Sequence, residues 1–170
     1  MMACISGVPG TGKSSVSTVL KRMGYNVISQ NETTSDYFIS NDPDRDAGVI
    51  DEELWISEFR PVDGIVEGHL THLLNCDRLV ILRCRPDVLK ERLVIRGYSP
   101  EKVRENVEAE ALDTILIEAL ENHKEDIILE LDTTERTPEE IAAEIDEFIC
   151  GKKDGCFGNT DWSEYLGTII

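Results

Sequence analysis

The chain has 170 residues, 41% of them hydrophobic and 30% charged, with a formal net charge of −17. That balance fits one folded domain around one buried core and excludes a disordered chain. No apolar run is long enough to cross a bilayer, and so acidic a surface argues against direct DNA binding.

Met2–Ser6 is a short apolar run. It lacks a basic lead and is too short for a secretory signal, so it reads as a strand of a cytoplasmic protein. The Gly-rich stretch Gly7-Val8-Pro9-Gly10-Thr11-Gly12-Lys13-Ser14 follows, then helical spacing at Val16, Val19, Leu20 and Met23, closed by Gly24. Asn26–Ser29 reads as a second strand. Residues 30–50 are polar and read as a long irregular loop, the kind that is functional or mobile. Asp51 is placed to cap a helix running through Leu54, Trp55, Ile56 and Phe59. Gly64–Glu67 is a short buried strand ending in an acid. Arg78–Cys84 holds the unbroken apolar run of a central parallel strand. Pro86 opens a helix that Gly97 stops, and Ser99-Pro100 starts another whose apolar positions continue from Val103 to Ala119. Ile127–Leu131 is the fifth strand, and Thr137-Pro138-Glu139-Glu140 is a capping box. Alternating strands and helices predict an α/β fold of three layers, a five-stranded parallel sheet between helices.

The pattern G-x-x-x-x-G-K-[ST] between a strand and a helix marks a phosphate-binding loop. Its glycines let backbone N–H groups converge on phosphate oxygens, with the helix amino end adding positive potential. Gly10, Thr11, Gly12, Lys13, Ser14 and Ser15 are the candidate nucleotide contacts. Lys13 reaches the β- and γ-phosphates of ATP, the Ser14 hydroxyl faces Mg²⁺, and Ser15 lies nearer the α-phosphate.

Glu67-Gly68-His69 falls at the carboxyl edge of the sheet, where ligands of such sheets bind. Glu67 is a candidate second metal-side acid, holding a magnesium-bound water, and His69 is a candidate for ordering or deprotonating water. A structural histidine held by backbone is the alternative. Arg92 and Arg96 are four apart on one helix face, just before the break Gly97-Tyr98-Ser99, which has the form of a hinge for a small lid. Both are candidates for gripping the transferred phosphoryl group; surface pairing with Glu91 or Glu101 is the alternative.

Residues 101–150 hold 17 acidic and 4 basic side chains, a local charge of −13. That face is solvated helix surface, a docking face for a basic partner, or an aid to solubility. The five cysteines form no C-x-x-C pair, which argues against disulfides and zinc in a reducing compartment. The tail 151–170 either packs its aromatics back on the core or docks on a partner.

Together Gly7–Ser15, Val49–Leu54, Glu67-Gly68-His69, Glu91-Arg92-Leu93, Arg96-Gly97-Tyr98-Ser99, Glu108–Glu110 and Asp132–Glu140 resemble the adenylate kinase isoenzyme 6 family. That family, also called the coilin-interacting nuclear ATPase family in eukaryotes, has archaeal members. The resemblance spans roughly residues 1–149 and leaves the tail outside. It implies a nucleoside-monophosphate-kinase fold over residues 1–150, with 28–51 as the monophosphate-binding segment and 95–106 as the lid. It implies adenylate kinase and ATPase activity with Mg²⁺, and a part in late small-subunit ribosomal RNA maturation beside a basic ribosomal protein. It makes Arg96 the lid arginine, ties His69 to ATP hydrolysis and sets Thr137 at the adenine edge through backbone. Ordinary adenylate kinases carry Asp-Gly-Phe-Pro-Arg where this chain has Glu67-Gly68-His69-Leu70-Thr71, so a proline and an arginine are missing. Arg45 and Arg60 are the candidates left for holding AMP. The alternatives are a kinase of another nucleoside monophosphate or small metabolite, and an ATP-switched ribosome assembly factor with little transfer. A monomer or weak oligomer is expected, with no membrane partner.

Overall fold

The structure, a computed structural model, describes residues 1–42 and 47–167. Pro43, Asp44 and Arg45 lie outside the described residues.

Five strands build one parallel sheet: β1 (Met2–Ser6), β2 (Val27–Ser29), β5 (Gly64–Glu67), β6 (Arg78–Arg83) and β7 (Ile128–Asp132), in the order β2-β5-β1-β6-β7. Ile5 sits opposite Glu67 on one side and Val80 on the other, so β1 is central and its end carries the phosphate loop. Alternation along β1 splits the core. Ala3 and Ile5 pack with α1 (Lys13–Arg22) and α7 (Pro138–Ile149), through Val16, Leu20, Ile145 and Phe148. Met2 and Cys4 face the other layer, with Trp55 of α3 (Glu52–Glu58) and Leu116 of α6 (Thr114–Asn122). Each such buried side chain contributes roughly 1.5–3 kcal/mol. A third cluster joins α4 (Pro86–Ile95) to α5 (Pro100–Ala111) and reaches Val8 of the phosphate loop. Among the described residues no helix is long and apolar enough to cross a membrane, and all five cysteines are free.

The caps read from sequence form. Asp51 accepts from Leu54 N–H, Ser99 from Lys102 N–H, and Thr137 and Glu140 make a reciprocal box. Two expectations fail. The irregular loop of residues 30–50 contains a capped turn, α2 (Gln30–Thr33), and an antiparallel hairpin of β3 (Phe38–Asp42) and β4 (Ala47–Ile50). Phe38, Ile39 and Val49 are exposed, so no buried face imposes the alternation that announces a strand. The single helix expected from Ser99 to Ala119 breaks at Asp113, which takes a left-handed φ of 55°. Asp tolerates that region better than most residues.

The break has a visible partner. Arg83, only 2% exposed, meets Glu110 at 2.8 Å and also contacts Asp113 and Glu130. Burial works against its charge; the Glu110 and Asp113 carboxylates more than offset it and hold the guanidinium protonated. The tail closes the same cluster. Gly158 N–H donates to Glu130 at 2.7 Å, Trp162 Nε1 donates to Glu110 at 3.1 Å, and Cys156 bridges to Leu129 of β7. Of the two readings of the tail, residues 155–162 therefore take the one that packs back on the core.

Replacing Arg83 by Met strands three carboxylates beside one another. The expected loss is about 3–5 kcal/mol, the range for breaking a buried ion pair from one side. Urea unfolding of the variant checks it, and a loss below about 1 kcal/mol would show that the cluster is dispensable.

Candidate active site

The loop between β1 and α1 is pressed against the sheet. A Cβ at Gly7, whose φ is +150°, would lie 2.6 Å from the Leu82 carbonyl oxygen, so only glycine fits. Thr11 is buried and donates its hydroxyl to the Val8 carbonyl at 2.9 Å. Thr133, just beyond β7, donates to the Thr11 carbonyl at 2.8 Å, and its N–H donates to the Arg83 carbonyl at 2.9 Å. The phosphate loop is thus tied to the ends of β6 and β7 through the hydroxyl and N–H of Thr133.

Lys13 is the first residue of α1, and its Nζ donates to the carbonyls of Gly7 at 2.6 Å and Val8 at 3.0 Å. Burial lowers its ammonium to about 8, Glu67 opposes the shift and Arg96 adds to it. A cleft of about 230 Å³ opens in front of it, lined by Gly10, Gly12, Ser14, Glu67, His69 and Arg96 among others. Five side chains singled out in the sequence, Lys13, Ser14, Glu67, His69 and Arg96, therefore share one cavity. Oxygen donors from Ser14 and Glu67 suit a hard divalent cation.

His69 stands at the mouth of this cleft with part of its ring open to solvent. Its imidazole is held below its ordinary value, first by burial of its inner face and then by Lys13 and His72, so it is neutral at physiological pH. The open face tempers the burial effect without changing its direction. His72 has a different position. It is buried, with Nδ1 2.9 Å from Ser6 Oγ and Nε2 2.7 Å from Glu118, and it lines no part of the cleft.

A second cleft of about 170 Å³ lies on the other side of Gly10 and Gly12, lined by Ser15, Arg92, Arg96, Thr133, Arg136 and Pro138 among others. Ser14 and Ser15 therefore point to different compartments. Arg92 does not join the first cleft. Its guanidinium donates to the carbonyls of Gly10, Thr133 and Thr134 at 3.3–3.4 Å, which ties the loop to α4 and leaves Arg96 alone to span both clefts. Neither arginine pairs with Glu91 or Glu101 among the described residues. The Thr137 hydroxyl is spent on capping α7, between Arg136 and Pro138, which line the second cleft.

A third cavity of about 390 Å³ adjoins the first and is enclosed by α2, the hairpin and His69-Leu70. Gln30, Asn31 and His69 line both. Sequence reasoning missed Gln30, Asn31, Tyr98, Thr133 and Arg136. Gln30 had a signal, since it follows a strand end on the ligand edge of the sheet. Thr133 had none, because its role is a buried contact across 122 residues. Of the candidates for AMP, Arg60 lines none of these cavities and Arg45 lies outside the described residues.

A family model described as an AAA domain matches residues 4–113. A protein of Thermococcus gammatolerans named "Putative adenylate kinase" is 40% identical over 174 residues, covering 100% of this chain and 97% of its own length. Proteins of the same name from Archaeoglobus fulgidus and Methanocaldococcus jannaschii are each 42% identical, over 98% and 96% of this chain and 94% of their own. Because the first match runs the whole length, the tail lies inside the resemblance. Among solved structures, shikimate kinase of Acinetobacter baumannii with shikimate superposes with a TM-score of 0.58 at 15% identity, over 89% of this chain and 94% of that one. YorR of Bacillus subtilis with phosphorylated GDP gives 0.53 at 19%, over 89% and 97%. At such identities the likeness is one of fold.

Lys13→Ala is expected to lower turnover by about two to three orders of magnitude while leaving the melting temperature close to that of the parent chain. Near-normal turnover would remove Lys13 from the chemistry. A second outcome follows from its lowered pKa. A triphosphate beside the ammonium favours the charged form, so nucleotide binding at pH 8 takes up roughly half a proton and at pH 6.5 almost none. Calorimetry in two buffers of different ionisation enthalpy measures that uptake.

Proposed function

The chain belongs to the adenylate-kinase-like family of P-loop kinases represented by these archaeal relatives, and we propose that it transfers the γ-phosphoryl group of Mg-ATP to AMP. One observation carries the reading: Lys13, Ser14, Glu67, His69 and Arg96 line one cleft, and that cleft shares Gln30, Asn31 and His69 with a larger neighbouring cavity. A donor site and an acceptor site that meet at one junction are what in-line transfer requires.

In this mechanism the loop amides and Lys13 hold the β- and γ-phosphates, and Arg96 closes over the moving group from the end of α4. Ser14 would hold Mg²⁺ directly and Glu67 would do so through water; the ion, once bound, neutralises charge on the phosphates. The nucleoside lies in the cleft between Arg92 and Arg136-Thr137-Pro138. Arg92 acts there by fixing the loop backbone rather than by touching the γ-phosphate. Residues 28–51 take AMP, and residues 95–106 form the lid, whose Ile95 is 84% exposed at its hinge and free to move with it.

Hydrolysis is the companion reaction when AMP is absent. A neutral His69 at the junction supports it, because an unprotonated imidazole orders and accepts a proton from water in the acceptor's place. A part in small-subunit ribosomal RNA maturation belongs to the same proposal, and the surplus of acidic side chains in residues 101–150 supports a basic ribosomal protein as partner. A cytoplasmic site of action goes with it.

The test is ADP formation from Mg-ATP by the purified full chain, with and without AMP. AMP-dependent ADP formation is expected; ATP consumption that ignores AMP would sink the kinase reading. His69→Ala is expected to slow AMP-independent hydrolysis by about a hundredfold and to slow transfer to AMP far less. Because His69 is already neutral, hydrolysis by the parent chain is expected to stay flat between about pH 5.5 and 7.5. A rise with pH through that window would show the imidazole titrating there.

A further inference from the structure

The junction between the two cavities holds a polar group whose hydrogen bonding is incomplete. Gln30 is 3% exposed, yet it lines both the phosphate cleft and the larger cavity. Its Oε1 accepts the Leu70 N–H at 2.8 Å. A backbone donor there requires the oxygen end of the amide, so the orientation of the group is settled by its partner. Nε2, on the far side of the same carbon, has no hydrogen-bond partner among the described residues. The sealed side-chain atoms left without a partner there are Ser17 Oγ and Arg78 Nε. Gln30 Nε2 is therefore not sealed in; it opens onto the space the residue lines. Buried amides normally find partners for both ends, so an open end marks a place where a ligand atom completes the set.

Gly68 explains how the side chain is held. A Cβ at that position would lie 2.4 Å from both Cβ and Oε1 of Gln30, so the glycine of Glu67-Gly68-His69 is the seat on which Gln30 rests. The surroundings indicate what the ligand atom is. Among the described residues that line the larger cavity there is no lysine or arginine, while Glu52 is acidic. The cationic groups, Lys13 and Arg96, stand on the donor side. An anionic acceptor arriving at the junction meets a neutral amide first.

We propose that Gln30 Nε2 donates a hydrogen bond to a phosphate oxygen of the acceptor, a nucleoside 5′-monophosphate, and so sets the acceptor phosphate in line with the donor cleft. This rests on the kinase reading above and assigns the acceptor contact to a residue outside the phosphate loop, Glu67-Gly68-His69 and the lid arginine. It also accounts for acceptor binding without the arginine that ordinary adenylate kinases carry after the third strand: a fixed uncharged donor takes part of that work.

Gln30→Glu is the direct test. The carboxylate keeps an oxygen for the Leu70 N–H and replaces the open N–H₂ by a second, anionic oxygen. Steady-state ADP formation by the full chain is measured with AMP, GMP, CMP and UMP as probes. The KM for the preferred acceptor is expected to rise at least about tenfold, the range for losing a hydrogen bond to a charged group. The KM for ATP is expected to rise by a clearly smaller factor, so the readout is the acceptor KM relative to the ATP KM. If the variant loses ATP affinity or its melting transition, Gln30→Met, which removes the donor without adding a charge, decides in its stead by the same ratio. A parent chain that uses an acceptor, with a variant whose acceptor KM is unchanged, overturns this inference and leaves the kinase reading intact. A parent chain that hydrolyses ATP but answers to none of the four acceptors overturns both.

Discussion

The nucleotide end of this molecule hangs from Arg83. Its guanidinium is sunk among Glu110, Asp113 and Glu130, and its carbonyl receives Thr133, which in turn holds Thr11 of the phosphate loop. A buried arginine with three carboxylates is an expensive arrangement to desolvate, and it is kept only where geometry and hydrogen bonding satisfy every charge. Here it joins β6, α5, the turn into α6, β7 and the tail at one point. The phosphate loop inherits a fixed position because the strand end below it is fixed. Preorganisation of that kind is what makes loop amides effective against phosphate charge, since they do not have to reorient when the ligand arrives.

The donor half of the site was legible in the sequence for a physical reason. A loop that wraps phosphate with its backbone must be continuous in the chain, so Gly7–Ser15 announces itself. The Glu67-Gly68-His69 strand end was legible by location, because the carboxyl edge of a parallel sheet is where ligands sit. Arg92 and Arg96 show where such reasoning runs out. Four residues apart, they share a helix face, yet Arg96 reaches both clefts and Arg92 is spent on the carbonyls of Gly10, Thr133 and Thr134. Spacing gives the face of a helix and not the partner waiting there.

The fold divides in the same way. Strands with apolar runs and helices with capping residues follow from local pattern, and both formed where expected. The hairpin in residues 38–50 was hidden because neither of its faces is consistently buried. The break at Asp113 was hidden because its cause, Arg83, is 30 residues away in sequence. Gln30 left one signal, its place after a strand end, but a glutamine in a polar stretch carries no period and no motif, and its seat on Gly68 is a contact that no local pattern announces.

The covering of β7 by the tail has a further bearing. A sheet's outermost strand offers unpaired amide and carbonyl groups to any extended chain that meets it, which is a route to unwanted stacking of molecules. One flank here ends in β2, three residues long, too brief to template much. The opposite flank ends in β7, five residues long with apolar Ile128, Leu129 and Leu131, and the Cys156 carbonyl occupies its Glu130 N–H. Residues 155–162 thus serve as a selvedge. A chain trimmed at residue 150 would present a raw border to its neighbours, so solubility is one place where the loss would be felt.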